Sequence, residues 1–218
     1  WIAANPRPTQ PPLDAAPIKV ASFNVLNYFT TFTDGTTATG ATGQGCSLGG
    51  TVAARQCRGA NDLTEFQRQQ AKIVAALVAM NPDAAGLMEI QNNGNTAVQN
   101  LVSALNAKVG STRYAAVGLP AAGTGTDAIR VAMIYQPARL TLVGAALSDT
   151  DPVHNRPPLA QTFRAANGEA FTLVVNHFKS KGCGTSAPAD LDQGDGQGCY
   201  NATRVQQAAR LRTFIQNL

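Results

Sequence analysis

From residue 18 onward the chain alternates short apolar runs with amphipathic stretches. Ile18-Lys19-Val20-Ala21-Ser22-Phe23 alternates and then runs apolar, which predicts a buried strand ending near Asn24. A long polar loop follows over 27–60. Asn61 or Asp62 is placed to cap a helix whose Leu63, Phe66, Ile73, Leu77 and Met80 share a face, and Asn81-Pro82 stops it. The run at 84–90 reads as a second buried strand with Glu89 at its end. Val98, Leu101, Val102 and Leu105 recur at helical spacing and predict a second helix over 96–109, closed by Gly110. Strand-like runs alone come next, at 114–117, 129–135, 140–147, 159–165 and 170–178, and Asn167-Gly168 marks a tight hairpin turn between the last two. A third amphipathic helix is predicted over 201–218, through Val205, Ala208, Leu211, Ile215 and Leu218. This order of elements predicts an α/β (α+β) domain built on a mixed sheet rather than an all-parallel one.

Composition then narrows the class. Only 14% of the 218 residues are charged, against about 25% in ordinary domains, which excludes a highly charged disordered chain and a coiled coil. The longest apolar runs, such as 73–80, fall far short of the ~20 residues that cross a bilayer, so no membrane partner is expected. A formal charge of +4 favours an anionic partner without naming it. With two histidines, His154 and His177, and neither HExxH nor CxxC, a zinc site of three imidazoles is excluded. Prolines at 6, 8, 11, 12 and 17 make residues 1–17 read as an extended linker leading into a domain over 18–218. The chain opens on Trp1 with no apolar signal segment, so a segment upstream is expected to have been removed. The four cysteines fall as two sequence-local pairs, Cys46 with Cys57 and Cys183 with Cys199, each spanning a polar, glycine-containing stretch. Two stapled loops would place the protein in an oxidising compartment, secreted or periplasmic; other connectivities and free thiols are the competing readings.

Three polar residues end predicted strands, where side chains project from a rigid sheet into loops: Asn24, Glu89 and His177. A carboxylate after Ala-Ala-Gly-Leu-Met is costly to desolvate unless paired or metal-bound, and an oxygen donor suits Mg²⁺. Capping the following loop or helix is the plainer role for Glu89. His177 suits a general acid or base, or a donor to a phosphate oxygen, with Lys179 and Lys181 beside it to attract an anion. A purely structural imidazole is the alternative. His154, in the polar loop 149–158, is expected in solvent. Arg130 is a charge on an apolar strand, expected to pair with an acid such as Asp127 or with a phosphate.

Four motifs taken together carry a family resemblance. Val-Ala-Ser-Phe-Asn-Val-Leu-Asn-Tyr around Asn24, Leu-Met-Glu-Ile-Gln-Asn around Glu89, Asp-Ala-Ile-Arg-Val-Ala-Met-Ile-Tyr from Asp127 through Arg130, and Val-Asn-His-Phe-Lys-Ser-Lys-Gly around His177 resemble the endonuclease/exonuclease/phosphatase superfamily. Within it, Asp-Gln-Gly-Asp-Gly-Gln-Gly-Cys at 192–199, followed by Tyr-Asn-Ala-Thr-Arg-Val, is similar to the secreted bacterial extracellular nucleases. The likeness runs in order over 18–218. It implies a four-layer sandwich of two mixed β-sheets flanked by helices, hydrolysing phosphodiesters of DNA, or of RNA, with Mg²⁺ or Mn²⁺. By that likeness Glu89 and Asn24 would hold the metal, Asn24 alternatively the scissile phosphate, and His177 would donate to the phosphate, with Asp127 and Arg130 belonging to the same site. The family pattern continues with a Gly-Asp-x-Asn strand, a further Asp and a final Ser-Asp-His, none of which occurs in these 218 residues. The expectation is therefore an incomplete, monomeric catalytic domain with little activity alone.

Other readings compete. Gly45-Cys46-Ser47-Leu48-Gly49 fits G-x-S-x-G, but a serine-hydrolase elbow needs a strand before it and a helix after it. Asp190, Asp192 and Asp195 in a glycine-rich loop suggest structural Ca²⁺ in a non-catalytic binding domain, although their spacing is not that of an EF-hand. A secreted phosphatase or sphingomyelinase-like phosphodiesterase would share Asn24, Glu89 and His177. Asn201-Ala-Thr203 fits a glycosylation sequon at the start of the last helix.

Overall fold

One strand, β4 (Ala84–Gln91), sets the layering, because its alternate side chains belong to two different cores. A computed structural model describes residues 16–184 and 187–218, so most of the expected 1–17 linker lies outside the described residues. Around β4 the chain forms β1 (Val20–Tyr28), β2 (Cys46–Leu48), β3 (Thr51–Ala53), α1 (Leu63–Met80), α2 (Thr96–Val109), β5 (Ala115–Ala116), β6 (Ile129–Tyr135), β7 (Leu140–Ser148), β8 (Leu159–Ala165), β9 (Ala170–Val175) and α3 (Asn201–Gln216). The first sheet has the order β1-β4-β6-β5 and is mixed: β1 runs parallel to β4, and the remaining pairs are antiparallel. The second, β7-β8-β9, contains only antiparallel pairs among the described residues.

Ala85 and Leu87, with Ala132 and Ile134 of β6, face α1 and α2 and meet Phe66, Leu77, Leu101 and Leu105. Ala84 and the β6 residues Val131 and Met133 face the other way, onto Leu140, Leu159, Phe163 and Val175 of the second sheet. The helix layer on one face of the first sheet and the second sheet on its other face therefore follow from period-two alternation in β4 and β6. Gly86 lies on the inter-sheet face, where an added Cβ would come within 2.4 Å of Val175 Cγ2. The first helix starts as expected: Asp62 caps it by accepting from Glu65 N–H at 2.8 Å, Glu65 in turn accepts from Asn61 N–H at 2.8 Å, and Asn81 ends it in the left-handed region.

The structure revises several boundaries. β1 continues past Asn24 to Tyr28, whereas β9 stops at Val175, which leaves His177 on a loop. The loop 27–60 holds the β2–β3 hairpin, which apolar periodicity does not reveal because its residues are mostly polar or small. Asn167-Gly168 sits in a longer connection, closed by Ala165 N–H donating to Glu169 O at 2.9 Å, with Gly168 at φ 90°. The expected amphipathic α3 is not one. Its only buried residue is Gln207, while Val205 and Ile215 are exposed. Polar bonds hold it instead: Gln207 Nε2 donates to Val153 O at 2.9 Å and Arg210 forks onto Asp149 at 2.6 and 2.9 Å. Gly45 to Gly49 lies on and beside β2, with strand β3 rather than a helix next after Ser47 and with Cys46 bonded to Cys57, so the nucleophile-elbow geometry is absent. Both local disulfides form, Cys46–Cys57 and Cys183–Cys199. Among the described residues no helix is long and apolar enough to cross a membrane.

If Gly86 sets the sheet spacing, Gly86→Ala will destabilise the domain by about 1–3 kcal/mol in chemical denaturation. Adding Val175→Ala, which vacates the colliding methyl, is expected to recover part of that loss. Equal stability of Gly86→Ala and the parent would show that the sheets part freely.

Candidate active site

The register of the two parallel strands builds the site. Asn24 lies opposite Met88 and Tyr28 opposite Ile90, so Val25, Leu26 and Asn27 of β1 bow outward against Glu89 alone. On its other side β4 bulges too, because Leu87 pairs with Ala132 and Ile90 with Arg130, which sets Met88 and Glu89 against Val131. The backbone takes left-handed values at Leu26 (φ 54°), Asn27 (φ 51°) and Glu89 (φ 69°). Such conformations cost about 1–2 kcal/mol for ordinary L residues, less for Asn, and persist where surrounding bonds over-determine them.

Those bonds converge on one carboxylate. Asn24 Nδ2 donates to Glu89 Oε1 at 2.9 Å, and Asn27 N–H donates to Glu89 Oε2 at 3.0 Å. The Asn24 side chain is fixed in turn by Leu26 N–H, which donates to its Oδ1 at 2.8 Å. His177 Nε2 stands 3.8 Å from Glu89 Oε1, while its Nδ1 is buried with no hydrogen-bond partner. Burial lowers the His177 pKa from its ordinary value, and the nearby Arg156 guanidinium adds to that; Glu89 and Asp127 oppose it. The imidazole is therefore neutral at pH 7 and keeps one N–H to donate.

Asn24, Glu89 and His177 thus lie together. Asp127 stands close enough to act on His177 electrostatically, but its expected partner is wrong. Asp127 pairs with Arg58 and with Arg156, at 3.3 Å for the latter, rather than with Arg130. Arg130 is buried, and its two terminal nitrogens donate to carbonyl and amide oxygens, Val131 O at 3.0 Å, Gly94 O at 2.8 Å and Asn95 Oδ1 at 3.3 Å, while its Nε has no hydrogen-bond partner. Burial pulls its pKa down to about 10. It anchors the start of α2, because a cation on an apolar strand found oxygens before it found an acid. Lys179 Nζ lies 4.4 Å over the Tyr200 ring, and Lys181 Nζ lies 3.4 Å from Gly196 O, so both ammonium groups engage the second disulfide loop. His154 is buried rather than in solvent, 3.4 Å from the Asp149 carboxylate that Arg210 holds.

Sequence reasoning missed Arg156 and Arg58. Arg156 NH2 donates to Phe178 O at 2.6 Å, so it braces the residue after His177 while its other arm reaches Asp127. Nothing in Asn155-Arg156-Pro157 signals this. Arg58 has a weak signal in the Cys57-Arg58-Gly59 sequence. Gly59 packs against the end of β1 and the residue after it, where an added Cβ would come within 2.5 Å of Phe29 Cβ and 2.9 Å of Asn27 O, and this seats Arg58 next to the bulge. The Asp190, Asp192 and Asp195 carboxylates serve local backbone turns instead of a shared ion. Asp190 caps α3 through Thr203 N–H at 2.9 Å, while Asp192 and Asp195 accept from Gly194 and Gln197 N–H. Among the described residues no three His, Cys, Asp or Glu side chains gather as a metal cluster.

His177 is expected to titrate below 6.5 when followed by NMR of its ring signals. Glu89→Gln removes a charge that favours the imidazolium and should lower the midpoint further; an unchanged or raised midpoint would place His177 away from Glu89.

No family model matches the sequence, and no curated protein does. Among solved structures that are similar in part are the following. The chain is 15% identical to humanized D. rerio TDP2, with a TM-score of 0.39 over 55% of this chain and 46% of that one. It is 23% identical to the human Nocturnin catalytic domain with bound sulfate anion, at 0.34 over 51% and 43%. It is 14% identical to ANGEL2, described as a 2′,3′-cyclic phosphatase, at 0.40 over 57% and 35%. The chain spans less than half the length of each.

Proposed function

We propose that this chain carries one side of a divalent-metal-dependent phosphodiester hydrolase of the endonuclease/exonuclease/phosphatase type. In this reading it belongs to a secreted nuclease that cleaves DNA, or RNA, with low sequence specificity. One observation carries the proposal: two adjacent bulges hold the Glu89 carboxylate between the Asn24 amide and the Asn27 N–H, with a neutral His177 beside it. Backbone strain spent on orienting a single carboxylate is characteristic of functional sites.

The donor set fits a hard cation. Each Glu89 oxygen accepts one protein hydrogen bond and so keeps lone-pair capacity, and the side chain still reaches solvent. Mg²⁺ takes one or two carboxylates and fills its remaining positions with water, so a three-carboxylate cluster is not required. Glu89 would hold Mg²⁺ or Mn²⁺, with Asn24 joining it through the second lone pair of Oδ1, because its Nδ2 faces Glu89 and can only donate. The bound ion would supply positive charge against the phosphoryl oxygens. His177, kept neutral by burial, offers an N–H to a phosphate oxygen, a donor worth most where charge develops. Arg156 positions it through the Phe178 carbonyl, and Asp127 steadies Arg156. Arg130 acts on the frame alone. The two disulfides are compatible with export to an oxidising compartment.

Adding Mn²⁺ is expected to broaden the amide signals of Asn24, Asn27 and Glu89 selectively, EDTA to restore them, and Glu89→Gln to abolish the effect. Broadening spread over the surface, or none, would sink the metal centre and favour a non-catalytic binding domain. Because the Gly-Asp-x-Asn and Ser-Asp-His motifs are absent from the sequence, plasmid incubated with this chain and Mg²⁺ should show little nicking. EDTA-sensitive nicking lost in Glu89→Gln would show instead that these residues suffice.

A further inference from the structure

Beside the Glu89 cradle, on the outer side of the β1 bulge, lies a groove of about 450 Å³ lined by Leu26 and Asn27 on one wall and by Arg68, Gln69 and Lys72 of α1 on the other. Arg58 lines its end. Resting on the nuclease reading above and deepening it, we infer that this groove is the track for the sugar-phosphate backbone of a polynucleotide, on one side of the scissile phosphate.

Arg68 and Lys72 are one helical turn apart, about 6 Å along the axis, on one face of α1. Both are exposed, and among the described residues neither is in an ion pair. Two cations left free on one wall answer a row of phosphates, whereas a small phosphoester would need one anion pocket at the cradle and nothing beyond it. The acid in the groove, Glu65, turns Oε2 to Asn61 N–H and Nδ2 at 2.8 and 3.0 Å, and its single negative charge is outnumbered by Arg68 and Lys72.

The groove is also rigidly keyed to the site. Gln69 Nε2 donates to Leu26 O at 2.6 Å and to Val25 O at 3.2 Å, so the helix that carries Arg68 and Lys72 is bolted to the bulge that presents Asn27 N–H to Glu89. Arg58 follows Cys57, whose disulfide to Cys46 closes the loop, and it reaches Asp127, the residue that pairs with Arg156. Leu26, 72% exposed, lies at the junction and offers an apolar contact to a sugar or base face. Backbone contacts of this kind carry no sequence preference, which accords with low-specificity cleavage.

The test is fluorescence anisotropy with a labelled 20-base-pair duplex in EDTA, over a range of salt concentrations. The parent chain should bind, and the double variant Arg68→Ala/Lys72→Ala should bind more weakly, with a slope of log affinity against log salt shallower by about 1.8 for two lost phosphate contacts. Lys108→Ala/Arg113→Ala, two exposed cations at the far end of α2 and just beyond it, should leave the slope unchanged. An unchanged slope in the Arg68/Lys72 variant overturns the inference, as does binding of phosphatidylglycerol vesicles in place of DNA. Either result leaves the Mn²⁺ test at Glu89 standing. Conversely, groove-dependent DNA binding without Mn²⁺ broadening at Glu89 supports the track and removes the hydrolytic centre.

Discussion

The bond on which the rest of the structure turns is the one Asn24 and Asn27 make to Glu89 across a parallel strand pair that loses register there. A carboxylate on a central strand is expensive to bury and a left-handed glutamate is strained, so neither would persist singly. Together they are consistent. The bulge that breaks the ladder frees the Asn27 N–H, and the freed N–H solvates the carboxylate whose backbone the second bulge has turned outward. Each defect satisfies the other, and a site appears where two defects coincide on the central strand.

Most of the fold was legible because period two and period 3.6 separate along this chain. β4, β6, α1 and α2 stand where alternation, the Asp62 cap and the Asn81 stop place them. Asn24, Glu89 and His177 stood out as polar residues following apolar runs, although β1 continues past Asn24 to Tyr28 and His177 lies beyond the end of β9. What escaped was not encoded by periodicity. The β2–β3 hairpin is a polar pair held by a disulfide, and α3 has an apolar spacing in sequence but docks through Gln207 and Arg210.

The Arg130 error shows why partner choice resists sequence reading. Asp127 and Arg130 are three residues apart, but alternation along β6 turns the arginine inward to carbonyls of the Gly94 turn, while Asp127 sits before the strand on a loop fixed by Asn92. Asp127 then accepts cations from distant segments, Arg58 and Arg156. Short-range proximity lost to the direction in which the backbone aims each side chain.

Those long-range pairs also explain why two connecting loops matter to a site built on strands. From Cys46–Cys57 a chain of contacts runs through Arg58 to Asp127, from Asp127 to Arg156, and from Arg156 to the carbonyl after His177. Glu89 needs no such help, because two strands hold it. His177 lies beyond the end of β9 and has no ladder of its own, so its position relative to Glu89 depends on this relay of charges anchored by a covalent staple. The carboxylate side is thus fixed by hydrogen bonds of the sheet, and the imidazole side by ion pairs and a disulfide. Reduction of Cys46–Cys57 should therefore loosen the second side while leaving the first in place.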